Sequence, residues 1–227
     1  MMLKMADDQL LFEGAVLQTD HQTHGKGQRG NKWYSAPDQN LTFSVLLKPV
    51  FLAPKNQFEL NRIASLAIFS ALREFFNDDE LKIKWPNDIY VNQLKIGGIL
   101  IENSLVNQSI TRSIIGIGLN INQLKMLPKG ATSLINENRR VYEKEEILVT
   151  ILQHLEKFYF RLKEGQHEII NEQYLKQLYR LNYLAAYEDQ QGAFLGTILG
   201  VDKSGLLEVQ KQNGALVTYQ FKEVVFK

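Results

Sequence analysis

Four stretches of the chain hold residue types whose spacing could do chemistry. The first is Thr23-His24-Gly25-Lys26-Gly27-Gln28-Arg29-Gly30-Asn31-Lys32-Trp33. Glycines let backbone N–H groups approach a phosphate closely. Lys26 and Arg29 add charge, Arg29 through a fork that matches phosphate oxygens. Trp33 offers a face for a base or an apolar ligand. Lys26 is followed by Gly27 rather than Ser or Thr, so this is not a Walker loop. Taken alone, the stretch reads equally well as a basic surface loop. His21 and His24 have no third ligand at a metal-binding spacing.

The second and third stretches adjoin: Lys84-Trp85-Pro86-Asn87-Asp88-Ile89-Tyr90, then Lys95-Ile96-Gly97-Gly98-Ile99-Leu100. A plain core hairpin requires neither a lysine at its corner nor paired glycines in its returning strand. On a strand, Leu81, Ile83 and Trp85 face one way and Lys82 and Lys84 the other. Lys84 therefore points away from the apolar set, as an ordinary solvent lysine would. The fourth stretch, Ile115 to Ile121, puts Ile115, Ile117, Leu119 and Ile121 on one face and Gly116, Gly118 and Asn120 on the other. A strand stripped of side chains on one face either packs very closely or leaves room for a ligand.

The elements that must position these stretches are legible from periodicity. Alternation predicts strands over Leu11–Thr19, Leu41–Leu47, Leu81–Trp85, Ile89–Val91, Lys95–Val106 and Ile110–Asn122. Apolar residues at three and four predict a helix over Gln57–Asn77, and further helices follow over Glu143–Lys163 and His167–Tyr183. Residues 1–10 read as the end of a helix, and Asn77-Asp78-Asp79-Glu80 as a solvated loop. From Gly192 onward, short β-type runs are cut by Lys203-Ser204-Gly205 and Asn213-Gly214, which predicts a small barrel.

Composition sets the frame. The chain has 227 residues, 44% hydrophobic and 22% charged, with a formal net charge of +1. That balance is globular, and it supplies no bulk field toward nucleic acid or a membrane. With no cysteine, thiolate metal sites and cysteine nucleophiles are excluded, which fits a reducing cytoplasm. The N-terminus is not patterned as a signal peptide, no apolar run approaches a membrane span, and the sequons at Asn40 and Asn107 read as chance matches.

In order and co-occurrence, the four motifs resemble those of biotin–protein ligases, also called biotin–[acetyl-CoA-carboxylase] ligases, and the resemblance covers nearly the whole chain. It implies an α+β fold: a mixed β-sheet catalytic domain flanked by helices, class II synthetase-like, over residues 1–184, and an SH3-like barrel over 185–227. It implies activation of biotin by ATP with Mg2+, then transfer to a lysine of a biotin carboxyl carrier protein. Carried over position by position, Gln22, Lys26, Gly27, Gln28, Gly97 and Gly98 are expected to contact biotin. Lys84 is expected to touch both biotin and the phosphates, with Arg29 as the second catalytic cation. Arg29, Trp33 and Asn120 are expected around the nucleotide.

Two departures from the family pattern bear on this. The chain begins after the place where a Ser-Thr-Asn segment is expected, which leaves a truncated, inactive carrier-binding module as one alternative. Gln28 stands where many members carry arginine, so it keeps hydrogen bonding but loses a charge. A lipoate–protein ligase is the other alternative. No DNA-binding module precedes the catalytic region, so a monofunctional, cytoplasmic enzyme is expected, without nucleic-acid or membrane partners. Pairing through sheet edges in the family points to a homodimer.

Overall fold

The computed structural model describes residue 2, residues 11–77 and residues 79–227, with the Arg29 side chain also outside the description. Met2 apart, the expected helix end at residues 1–10 lies outside the described residues. Six strands, β1 (Val16–Thr19), β2 (Leu41–Leu47), β3 (Leu81–Lys84), β4 (Asp88–Val91), β5 (Leu94–Val106) and β6 (Ser109–Leu119), form one sheet in the order β1-β2-β6-β5-β4-β3. Five more, β7 (Leu184–Asp189), β8 (Gly192–Val201), β9 (Leu207–Lys211), β10 (Leu216–Tyr219) and β11 (Val225–Phe226), form a second in the order β10-β9-β8-β7-β11. The second sheet is consistent with the expected SH3-like domain. The helices are α1 (Phe58–Leu72), α2 (Leu134–Asn138), α3 (Lys144–Lys163) and α4 (His167–Lys176).

The α+β class is as expected, but the mixed sheet is corrected: every strand pair is antiparallel, and parallel pairing is confined to isolated bridges such as Ile83 with Leu178. The cause is the short connections. Asn92-Gln93 joins β4 to β5 and Asn107-Gln108 joins β5 to β6, and two-residue turns allow only antiparallel neighbours. Asn92 and Asn107 both take φ +54°, a left-handed conformation that asparagine tolerates better than most residues.

Helix α1 is the core of the molecule. Thirteen of its fifteen residues are buried, because it lies between β3, β4 and β5 on one side and α3 and α4 on the other. A helix covered all round need not be amphipathic. It is shorter than expected: the chain tightens into a 3-10 turn at Arg73–Phe75, where Phe75 packs edge-on against Tyr142 at 5.0 Å. Helix α4 is also shorter than expected. After Lys176 the chain runs along β3, with Ile83 N–H donating to Gln177 at 2.9 Å and Tyr179 N–H to Ile83 at 2.8 Å. Arg180 and Asn182 then take φ +62° and +61°, which no helix continues through. No described helix is long and apolar enough to cross a membrane.

Candidate functional site

The face of the six-stranded sheet opposite α1 is laid out in rows by strand register. One row reads Thr19, Thr42, Gly118, Gly98, Asp88 and Lys84; the next reads Leu17, Ser44, Gly116 and Leu100. Three glycines thus meet at the centre, and the floor there is backbone. A cavity of about 830 Å3 lies over it, within the range of small-molecule sites. The facing glycine, Gly97, is on the other side of the sheet, where an added Cβ would run into the Leu119 side chain. Adjacent strand residues point to opposite faces, so of the paired glycines only Gly98 lines the cavity.

The glycine-rich loop forms the roof. It folds back on itself: Trp33 N–H donates to Gly25 at 2.9 Å and Gly27 N–H to Asn31 at 2.7 Å. Gly25 is buried in this fold-back, and a Cβ there would collide with the Trp33 carbonyl. The loop is closed at its base by Asp38 N–H donating to Asp20 at 2.9 Å. Its returning limb is anchored by Asn40, 2% exposed, which donates to Gln123 and Ser35 and accepts from Ile121 N–H at 3.1 Å. Gln22, Lys26, Gly27, Gln28 and Trp33 all line the cavity; the Arg29 side chain lies outside the described residues.

Trp33 rests on the glycine floor. An ideal Cβ on Gly118 would come within 2.5 Å of the indole, and one on Gly98 within 3.5 Å. The Trp33 Nε1 and Gln28 Oε1 atoms are buried without a hydrogen-bond partner in the protein. Buried polar atoms are normally satisfied, so two such atoms in one cavity mark where a polar ligand would bind. Gly118→Val is expected to lift the indole off the floor at a cost of about 1–3 kcal/mol. The chain has two tryptophans and Trp85 is 5% exposed, so a rise in acrylamide quenching would report Trp33 directly.

Lys95 is the cation that residue-by-residue reading passed over. It lines the cavity, with Nζ 2.6 Å from Asp88 and 5.8 Å from the Trp33 ring centre. Its backbone is fixed on both sides: it pairs with Tyr90 of β4, its N–H donates to Gly130 and its carbonyl accepts from Thr132, each at 2.9 Å. The backbone is thus fixed at the edge of a bare floor, and the ammonium it carries is within reach of an anion there.

Besides Gly97, two more expected contacts sit elsewhere. Lys84 ends the first row at the sheet's edge, beyond Asp88, and is absent from the cavity lining. Its Nζ donates to Tyr90 Oη at 2.9 Å and lies 4.4 Å from the Tyr90 ring and 4.9 Å from the Phe226 ring. Burial pushes its ammonium below the usual lysine range, Asp88 opposes that, and Arg180 and Lys95 reinforce it. Burial also raises the Tyr90 hydroxyl to about 12. Asn120 is 3% exposed and outside the cavity lining. It donates to the Thr132 carbonyl at 2.9 Å, and Thr132 in turn holds the Lys95 carbonyl.

Comparison with known proteins places this arrangement. Residues 9–120 match the model of the Biotin/lipoate A/B protein ligase family. The chain carries a domain of that family. Over 214 residues it is 29% identical to the bifunctional ligase/repressor BirA of Bacillus spizizenii, covering 91% of this chain and 65% of the relative. It is 29% identical over 235 residues to the biotin–protein ligase of Homo sapiens, covering 93% of this chain but 31% of that protein. The chain therefore spans less than two thirds of the length of these relatives. Among solved structures, the biotin protein ligase from Aquifex aeolicus in complex with biotin and ATP superposes with a TM-score of 0.78 at 25% identity, over 96% of this chain and 90% of that one. The biotin/lipoate ligase domain thus extends over the glycine-rich loop, the glycine floor and Lys95.

Proposed function

We propose that the chain activates biotin with ATP to biotinyl-5′-AMP and transfers the biotinyl group to a lysine of a biotin carboxyl carrier protein. The observation that carries this reading is Lys95, fixed beside the bare floor of Gly98, Gly116 and Gly118 under Trp33. The fold is that of a protein solved with both biotin and ATP bound. In the first step a carboxylate oxygen of biotin attacks the α-phosphorus, and the bond to the leaving pyrophosphate breaks. Two anions must meet there, and the Lys95 ammonium neutralises both. In the second step the deprotonated carrier lysine attacks the acyl carbon and AMP leaves.

In this reading Lys95 takes the role the family resemblance gave to Lys84. Gln22, Lys26, Gly27, Gln28 and Gly98 face biotin, while Trp33 and Arg29 serve the nucleotide. Asn120 and Gly97 act behind the site. Asp88 holds the Lys95 ammonium until substrate arrives. Asp88 and Glu102 are the carboxylates lining the cavity, and the described residues hold no group of three metal-ligating side chains. They do not form a cage for Mg2+, which would arrive on the triphosphate oxygens. Closure of residues 21–33 shields the adenylate from water. The same reading assigns residues 1–184 to catalysis and 185–227 to an accessory domain, in a cytoplasmic enzyme that pairs through its sheet edges.

The family model spans lipoate ligases as well as biotin ligases, so the substrate is tested by competition. Pyrophosphate release with ATP is expected with biotin and not with lipoate. Release with lipoate alone would replace the substrate, and carrier binding without any release would reduce the chain to a binding module.

A further inference from the structure

The motif at residues 84–90 divides its work. Asn87 and Asp88 line the cavity. Lys84 and Trp85 do not, and both contact the second sheet. The Lys84 ammonium sits between the rings of Tyr90 on β4 and Phe226 on β11. The Tyr179 ring joins them, 5.7 Å from Tyr90 and 6.4 Å from Phe226. Trp85 Nε1 donates to the Gly205 carbonyl at 2.9 Å, in the turn between β8 and β9. Arg62 of α1 holds the same turn by donating to the Val201 and Asp202 carbonyls at 3.0 and 2.8 Å. From the whole second sheet and its turns, one described residue reaches the cavity lining: Phe221, in the turn between β10 and β11.

We propose that Lys84 and Trp85 are positioning residues that latch the second sheet to the edge of the first, so that Phe221 is held as a wall of the ligand cavity. Half-buried lysine loses hydration, and here the Tyr90 hydroxyl and two ring faces replace it. An aliphatic side chain would fill the space without that attraction, and a long cation facing open water would not join the two sheets. The indole N–H of Trp85 adds a directional bond to a turn backbone, which fixes the orientation of the second sheet as well as its distance. The motif thereby couples a site on one sheet to a wall supplied by the other.

The proposal rests on the function proposed above, and its test has one readout that does not. Lys84→Met and Phe221→Ala are each expected to slow biotin-dependent ATP–pyrophosphate exchange about tenfold, and the double variant no further, since residues acting as one unit are not additive. Lys84→Arg, which keeps a cation over the rings, restores most of the rate. Independent of activity, Tyr183, 73% exposed just before β7, and Leu184, 59% exposed at its first position, offer a site for chymotrypsin. Lys84→Met and Trp85→Phe are expected to speed cleavage there severalfold relative to the parent. A double variant slowed by the product of the two single losses would make Lys84 a direct substrate contact and overturn the latch, as would unchanged cleavage. If the parent shows no exchange at all, the proposed function fails and the cleavage rates alone decide on the latch.

Discussion

Lys95→Ala is expected to slow biotin-dependent pyrophosphate release by about 10²–10³-fold, the usual loss when one preorganised charge at a reacting centre is removed. The size follows from geometry. Lys95 stands at the edge of the bare floor with its backbone pinned by β4 on one side and residues 130–132 on the other. Its departure also leaves Asp88 without the partner now 2.6 Å away, placing an uncompensated carboxylate where a phosphate must come. Both effects act on the reaction and little on the fold. Both side chains of the pair are partly exposed, and such pairs are worth about 0–1 kcal/mol. The melting temperature should therefore move by no more than about 4 °C. Asp88→Asn in the Lys95→Ala background should recover part of the loss by removing the repulsion.

Arg62→Ala should have the largest effect on stability, with little direct effect on the cavity. Arg62 is 2% exposed on α1. Its Nη1 donates to Glu59 at 2.6 Å, its Nη2 donates to the Val201 and Asp202 carbonyls, and its guanidinium lies 5.2 Å from the Phe58 ring and 5.9 Å from the Tyr174 ring. Removing it strands the carboxylate of Glu59, which is 5% exposed, and takes a charged donor from the Val201 and Asp202 carbonyls, of which Asp202 keeps the Gly205 N–H at 3.1 Å. Breaking a buried pair in this way costs about 3–5 kcal/mol. For a chain of this size that corresponds to a fall of roughly 6–20 °C in melting temperature. A thermal melt followed by far-UV circular dichroism reads it. Replacing Glu59 and Arg62 together with leucine should cost less than Arg62→Ala alone, because no charge is left behind.

Much of the site was legible in the sequence, and the failures share one physical source. Gly116 and Gly118 fall on one face of β6 by simple alternation, and register then sets them beside Gly98 and under Trp33. The same alternation decides between Gly97 and Gly98, since neighbours on a strand cannot share a face. Period two also gave the correct side for Lys84, opposite Leu81 and Ile83. It could not give the strand's place in the sheet. β3 is the edge strand and β5 lies next to β6, so the cation within reach of the floor is Lys95. That order depends on long-range pairing and on the register shift between Ile89 and Tyr90, neither of which leaves a local pattern. A signal was present nonetheless: Lys95 opens the motif that contains Gly97 and Gly98. Asn120 falls on the ligand face only if the strand runs on to Asn122, three residues too far. β6 ends at Leu119, and Asn120 turns inward to Thr132. The short helix Leu134–Asn138 has no expected counterpart, and the helices over Phe58–Leu72 and His167–Lys176 end early, where tertiary contacts of Phe75 and of residues 177–179 override periodicity.

The most direct test of the proposed activity is mass spectrometry of the small molecules formed when the chain is incubated with ATP, Mg2+ and an equal mixture of biotin and lipoate. Biotinyl-5′-AMP is the expected product, formed about 10²–10³-fold more slowly in the Lys95→Ala incubation. Lipoyl-AMP in its place, no adenylate at all, or undiminished biotinyl-5′-AMP from Lys95→Ala would contradict the account.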